Sequence, residues 1–225
     1  MATPYVTIVC DEVSSTQDLA ATELSRSPDP VLIVASRQTL GRGRYGNEWW
    51  QAPRAVLASL AFRNDVLPVA ETLSLTVGLA VRAALAELAG VEVSLKWPND
   101  LELRDGKVGG ILIESDGDRT IVGCGINLWW PDAPPGVAAA CQLEPVDELG
   151  VRLAEGWADK VFASGGRWDR ETYLAACSTL GAELTWIPDG KGTAIDIDSR
   201  GGLVVSTPQG NRTLRSGEVR TVRRV

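Results

Sequence analysis

The apolar positions of the chain fall into runs whose spacing alternates between strand-like and helix-like periods, and the changes mark out its elements. Tyr5-Val6-Thr7-Ile8-Val9 predicts a strand. Ser14-Ser15-Thr16 then offers N-capping hydroxyls to a helix running through Leu19 to Leu24, which Pro28 and Pro30 stop. The five consecutive apolar residues Val31–Ala35, with their β-branched side chains, predict a buried strand, and Ala55–Phe62 another. A helix over Leu73–Ala89 ends at Gly90, after which Val91–Lys96 resumes as a strand. "RDGK" at 104–107 and "SDGD" at 115–118 carry the Asp-Gly pair favoured where both central turn residues need positive φ. They predict a meander of Leu101–Leu103, Val108–Glu114 and Thr120–Asn127. The proline-rich segment 131–145 reads as a loop, and helices over Asp147–Ala163 and Trp168–Leu180 follow it. From Gly181 the pattern shifts to short β segments separated by "PDGKG", "SRGG", "PQGN" and "SG". The expected fold is therefore α/β (α+β): a mixed-sheet unit over residues 1–180, then a small barrel-like β appendage over 181–225 that needs to dock on its neighbour.

Composition narrows the class. With 44% hydrophobic and 23% charged residues among 225, the chain has the make-up of an ordinary globular protein, and no tract of it is biased towards disorder. The N-terminus has no basic n-region, and Asp11 and Glu12 interrupt its apolar run. The longest apolar stretch, Leu73–Ala89, contains Arg82 and Glu87 and reads as a buried helix, so no membrane span and a cytoplasmic location are expected. Cys10, Cys124, Cys141 and Cys177 form no C-x-x-C pair and the chain has no histidine, which leaves no metal site with fixed protein ligands and implies reduced thiols. A net charge of -7 argues against nucleic-acid binding driven by phosphate neutralisation. One stretch runs against that balance: Ser36–Arg54 holds Arg37, Arg42, Arg44 and Arg54 against Glu48 alone, which points to a small anion held in a cleft.

Four stretches carry candidate chemistry. In Gly41-Arg42-Gly43-Arg44 the glycines let the backbone approach a ligand while two guanidinium forks stay free to grip carboxylate or phosphate. The spacing is not that of a Walker loop, and alone it also suits a solvated surface loop. In "KWPND", Lys96–Asp100, Pro98 fixes its own φ and extends Trp97, making a rigid corner that presents Lys96, Asn99 and Asp100. A structural turn in which Asn99 and Asp100 bond their own backbone is the alternative. "GKVGGILIES" places Lys107 on the strand after the turn, where Asp100 and Lys107 are expected to face one cleft from adjacent strands, with Gly109 and Gly110 leaving room for a ligand. "GCGIN", Gly123–Asn127, ends a further strand with two glycines and an amide.

Taken in order, S-S-T, Q-T-x-G-R-G-R-x-G-x-x-W, K-W-P-N-D, G-K-V-G-G-I-L-I-E and G-x-G-I-N resemble the biotin protein ligases, and the resemblance covers nearly the whole chain. It implies a catalytic α/β domain followed by an SH3-like β domain. It also implies ATP and biotin as substrates with Mg²⁺, a biotinyl-5′-AMP intermediate, and the biotin-carrier domain of acetyl-CoA carboxylase or a related carboxylase as acceptor. Larger members carry an N-terminal DNA-binding domain; with a first strand at Tyr5, a monofunctional member without one is expected, and monomers and homodimers both occur. By position, Ser15, Thr16, Gln17, Gln38, Gly41, Arg42, Lys107, Gly109 and Gly110 match the biotin site. Arg44, Trp49, Asn99 and Asn127 match the nucleotide end, with Trp49 over adenine. Lys107, Arg42, Arg44 and Asp100 match the reacting centre, the arginines near the carboxyl and phosphate groups. Gln17 stands where many members have Asn, and Tyr45 and Asn47 occupy often-basic positions, which thins the loop's charge. A lipoate or octanoate ligase is the rival enzyme reading, and a sensor that binds biotin without transferring it the rival of another class.

Overall fold

The computed structural model describes residues 4–67, 71–104, 106–187, 190–215 and 222–224. Two strands, β1 (Val6–Val13) and β2 (Val31–Gln38), pair in parallel, and the helix between them, α1 (Thr16–Arg26), makes the crossover that parallel pairing requires. β3 (Arg54–Arg63), β4 (Ser94–Lys96), β5 (Asp100–Leu103), β6 (Gly106–Asp116) and β7 (Arg119–Trp129) complete a seven-stranded mixed sheet in the order β1-β2-β3-β7-β6-β5-β4.

Period-two alternation divides this sheet into two unequal faces. Leu32, Val34, Val56, Leu60, Phe62, Val122 and Ile126 join the main core under α2 (Leu73–Ala89) and α3 (Glu148–Ser164). On the opposite face α1 covers only a small cluster, Ala20 and Leu24 against Val31, Ile33, Ala61 and Ile121. Burying one such aliphatic side chain contributes about 1.5–3 kcal/mol, so the α2/α3 side carries most of the stability. The face beyond the N-terminus of α1 is thereby left open for a site.

A second sheet is antiparallel: β8 (Glu183–Trp186), β9 (Gly190–Ile197), β10 (Leu203–Thr207), β11 (Gly210–Leu214) and β12 (Val222–Arg224), in the order β11-β10-β9-β8-β12. Leu184, Trp186, Ile197 and Leu203 belong to the same continuous core as the first sheet, which is how so small a sheet finds cover for its apolar face. The indole Nε1 of Trp97 donates to the carbonyl of Gly201 at 2.9 Å, joining the two sheets through the end of β4.

Several expectations need correction. The Ser15 hydroxyl does not cap α1; it accepts from Arg42 Nη1 at 3.2 Å, so a long-range ion cluster takes the group that local sequence offered to the helix. The strand expected over Val91–Lys96 shrinks to Ser94–Lys96. The helix expected over Trp168–Leu180 is only α4 (Arg170–Ala176), because Cys177 bridges to Leu95 and the Ser178 amide donates to the Leu95 carbonyl at 2.9 Å. The free edge of β4 thus draws that segment out of helix. Neither Asp-Gly pair has the expected register. Asp116 pairs with Arg119, so Gly117 and Asp118 form the second turn and only Gly117 has positive φ, at 62°. In the first, Arg104 adopts φ 56° and Gly106 already belongs to β6, while Asp105 lies outside the described residues, as do Pro188 and Asp189 of "PDGKG" and the "SG" at 216–217. All four cysteines are free, and only Cys124 is fully buried. No helix among the described residues is long and apolar enough to cross a membrane.

Candidate active site

On the open sheet face lies a cleft of about 350 Å³, within the range of cavities that enclose small organic ligands. Its floor is made of residues that add little bulk: Ser59 on β3, Gly110 on β6, and Gly123 and Gly125 on β7. A Cβ at Gly125 would stand 2.6 Å from Trp49 Cζ2, one at Gly110 3.2 Å from Lys107 Nζ, and one at Gly123 3.0 Å from Gln17 Oε1. Glycine is what lets these three side chains lie against the strands. Gly109 does not share this role, contrary to expectation. Its missing side chain points at the Gly125 carbonyl, 2.7 Å from an ideal Cβ, and towards Leu101, so it serves strand packing rather than a ligand.

The loop from Gly41 to Trp49 folds back on itself. Arg42 and Glu48 form an isolated antiparallel backbone β-bridge, the Gly43 amide donates to the Asn47 carbonyl at 2.7 Å, and the Trp49 amide donates to the Gly41 carbonyl at 3.1 Å. A single 3₁₀ turn, Arg44–Gly46, contains Tyr45 at φ 58°. The two arginines then diverge. Arg42 meets both carboxylate oxygens of Asp18, at 2.8 and 3.0 Å, and both of Glu114, at 3.0 and 3.2 Å. Hydrogen bonds to Asp18 and then Glu114 raise its pKa above the ordinary arginine value against the opposing effect of burial, so its charge is locked. Both carboxylates are substantially exposed, where an ion pair contributes about 0–1 kcal/mol; the cluster orients Arg42 more than it stabilises the fold. Arg44 reaches the other way, donating to Asn99 Oδ1 at 3.1 Å and to the Tyr45 hydroxyl at 3.1 Å.

At the start of α1, the Thr16 amide and hydroxyl donate to Gln38 Oε1 at 2.7 and 3.0 Å, and Ser59 donates to the Thr16 hydroxyl at 2.8 Å. Gln17 donates through Nε2 to Glu114 at 2.9 Å. At the opposite end, Lys107 and Asp100 reach the cleft from adjacent strands and form an ion pair, 2.5 Å apart, and the Lys107 ammonium lies 5.7 Å from the Trp49 ring centroid. Asn99 is fixed by its own donation to the Ile111 carbonyl at 2.9 Å, across a corner that contains a cis Trp97–Pro98 peptide. Ser15, Thr16, Gln17, Gln38, Arg42, Arg44, Trp49, Asn99, Asp100, Lys107 and Gly110 all line the cleft. Gly41 touches it only through contacts with Gln38 and Trp49. Asn127 does not line it either; 3% exposed, it donates to the Ala138 carbonyl at 3.3 Å under the loop that follows β7. Cys124 borders the cleft, but burial pushes its thiol up to about 12 and keeps it unreactive.

Asp18 and Glu114 were not singled out from the sequence. A signal for Glu114 existed: at period two it shares a face with Gly110. For Asp18 there was none, since its partner lies 24 positions away. Among the described residues four buried side-chain polar atoms have no partner, and three of them, Gln17 Oε1, Trp49 Nε1 and Asn127 Oδ1, belong to residues already named for ligand binding. Of these, Gln17 and Trp49 line the cleft, and orphaned polar atoms on residues around one cavity mark a place for a polar ligand.

The model of the biotin/lipoate A/B protein ligase family matches residues 9–129. The chain belongs to this family. Similar proteins include the biotin–[acetyl-CoA-carboxylase] ligase of Mycobacterium tuberculosis, 32% identical over 92% of this chain and 84% of that one. A bifunctional ligase/repressor of Bacillus subtilis is 31% identical over 93% of this chain and 72% of its own. Among solved structures, biotin protein ligase from Aquifex aeolicus in complex with biotin and ATP superposes with a TM-score of 0.81 at 27% identity, covering 98% of this chain and 99% of that one. The ligase fold therefore extends beyond the matched segment into the second sheet.

Proposed function

We propose that this member of the ligase family activates biotin with ATP to biotinyl-5′-AMP and transfers the biotinyl group to a lysine of a carboxylase biotin-carrier domain. One observation carries the reading: a glycine-floored cleft has fixed amides at one end and the cations Arg44 and Lys107, with Asp100 and Asn99, at the other. The relatives' names and the biotin–ATP complex of the Aquifex enzyme support the same choice.

Chemistry and residues agree. Biotin's carboxylate, ionised at neutral pH, attacks the α-phosphorus of ATP; a carbon–oxygen–phosphorus anhydride forms and pyrophosphate leaves. No strong base is needed, so a chain without histidine is adequate. What the step requires is that two anions be brought together and the charge growing on the α-phosphate be met by fixed cations. Lys107 and Arg44 are assigned that task, with Trp49 at the adenine end. Mg²⁺ is proposed on chemical grounds, to neutralise the departing phosphates. Asp100 and Glu48 are the cleft's carboxylates on that side, Asp100 is already engaged by Lys107, and no cluster of three metal-binding groups occurs among the described residues. The fit is to a metal carried by the nucleotide rather than by a protein cage. In the second step the acceptor amine attacks the acyl carbon, AMP leaves, and Asp100 is assigned to orient or take the amine proton. With this reading go a ligase unit over 1–180 and an SH3-like unit over 181–225, a cytoplasmic location, no nucleic-acid partner, and a monomer or homodimer.

Biotin-dependent ATP–pyrophosphate exchange is the test. Biotin, and not lipoate, is expected to support exchange, and Lys107→Ala to slow it by 100-fold or more, on the order of the loss when one transition-state charge contact is removed. Exchange with lipoate alone would move the chain to the rival enzyme class; biotin binding without exchange would make it a sensor.

A further inference from the structure

We propose that Glu114 is a positioning residue that sets specificity: it fixes the hydrogen-bonding polarity of the amide end of the cleft so that the site selects a cyclic urea over a ring without N–H groups. The inference rests on the biotin reading above.

A carboxylate only accepts hydrogen bonds. Glu114 Oε2 lies 2.9 Å from Gln17 Nε2, so the Gln17 amide must turn its NH₂ group to Glu114 and its carbonyl away. That carbonyl oxygen lies over Gly123, 3.0 Å from where a Cβ would be, and has no partner although Gln17 is only 4% exposed. Gln38 is locked with the opposite polarity. Its Oε1 takes the Thr16 amide and hydroxyl, and its Nε2 is left beside Gly41 at the cleft. One amide thus offers an acceptor and the other a donor. A cyclic urea carries two N–H donors and one carbonyl acceptor and can satisfy both; a dithiolane ring, as in lipoate, satisfies neither and leaves the buried Gln17 oxygen unpaired. Sites built to hydrogen-bond a ligand discriminate strongly against analogues that lack the matching group.

Glu114 also holds Arg42, and with Asp18 it sets two negative charges against that one guanidinium. Arg42 is then no surplus cation for the substrate's carboxylate. It ties the loop to α1 and β6 and keeps Glu114 facing Gln17, while Arg44 and Lys107 serve the anionic end.

The test is steady-state exchange with wild type, Glu114→Gln, Gln17→Leu and the double variant. Glutamine at 114 can present either a donor or an acceptor, so Gln17 loses its fixed orientation; leucine at 17 removes the acceptor itself. Each single variant is expected to raise the KM for biotin by about 10- to 100-fold, with kcat at saturating biotin and the KM for ATP within about threefold of wild type. The double variant is expected to be no worse than the poorer single, since both remove one interaction. A KM for biotin within twofold of wild type in Gln17→Leu would overturn the proposal. So would rises in both KM values together with a lowered melting temperature, which would mark Glu114 as merely structural. Wild type that exchanges with biotin while the variants keep its KM rejects this inference alone; wild type that does not exchange with biotin rejects the biotin reading itself.

Discussion

Gly125 has no side chain where Trp49 stands, and the contact between them shows how single residues shape the cleft. An added Cβ would stand 2.6 Å from the indole, too close for any real contact, so Gly125→Val must displace Trp49 from the floor and from its place beside Lys107. If Trp49 covers adenine, the variant is expected to raise the KM for ATP about tenfold, the order of one aromatic stacking contact. The KM for biotin should change little, and exchange kinetics read both. An unchanged KM for ATP would remove Trp49 from the nucleotide end. At this scale much was legible in the sequence. Lys107 and Asp100 were expected on adjacent strands and form a pair, because a short hairpin ties sequence separation directly to distance. The sequence around Arg42 presents it as an anion grip, and nothing in that segment shows that it closes on Asp18 and Glu114.

Among the elements, the turn between β9 and β10 is the clearest case of local chemistry with a distant use. The Asp198 carboxylate accepts from the amides of Arg200 at 2.9 Å and Gly202 at 2.8 Å, and from Arg215 Nη2 at 2.9 Å, and Gly201 completes the turn at φ 80°. Burial opposes ionisation of this carboxyl. The two amide bonds and Arg215 outweigh it and hold the pKa below the usual 3.8. A carboxyl whose pKa is lower in the folded chain adds stability above its unfolded value, and that stability is lost as pH falls from there through the folded value. Asp198→Asn is therefore expected to be about 1 kcal/mol less stable at neutral pH and to approach wild type at pH values below the ordinary carboxyl range. Denaturant midpoints measured across pH check this; a constant difference down to acid would assign the effect to packing. Element existence followed from periodicity, but boundaries did not where tertiary contacts competed, as in the short helix α4, whose expected continuation pairs with β4.

For the molecule as a whole, Trp97 joins the two sheets. Only 1% exposed, it donates from its amide to Thr179 and from its indole to Gly201, and the next three residues, Pro98, Asn99 and Asp100, border the cleft. Trp97→Phe keeps an aromatic ring but leaves Gly201 without this donor. We expect it to cost about 1–3 kcal/mol in denaturant unfolding and to lower exchange activity, through displacement of Asn99 and Asp100. Full activity in a destabilised variant would separate the second sheet from catalysis. By itself the sequence determined the strands and helices, the change of pattern at Gly181, and the ordered motifs that name the family, since these depend on periodicity and on short-range geometry. Only the tertiary structure decided which sheet face stays bare, that Gly109 packs strands while Gly110 borders the cleft, and that Glu114 dictates which way Gln17 turns. Each of those depends on side chains brought together from positions tens of residues apart, and a hydrogen bond's polarity is set by the partner that arrives, which no local pattern encodes.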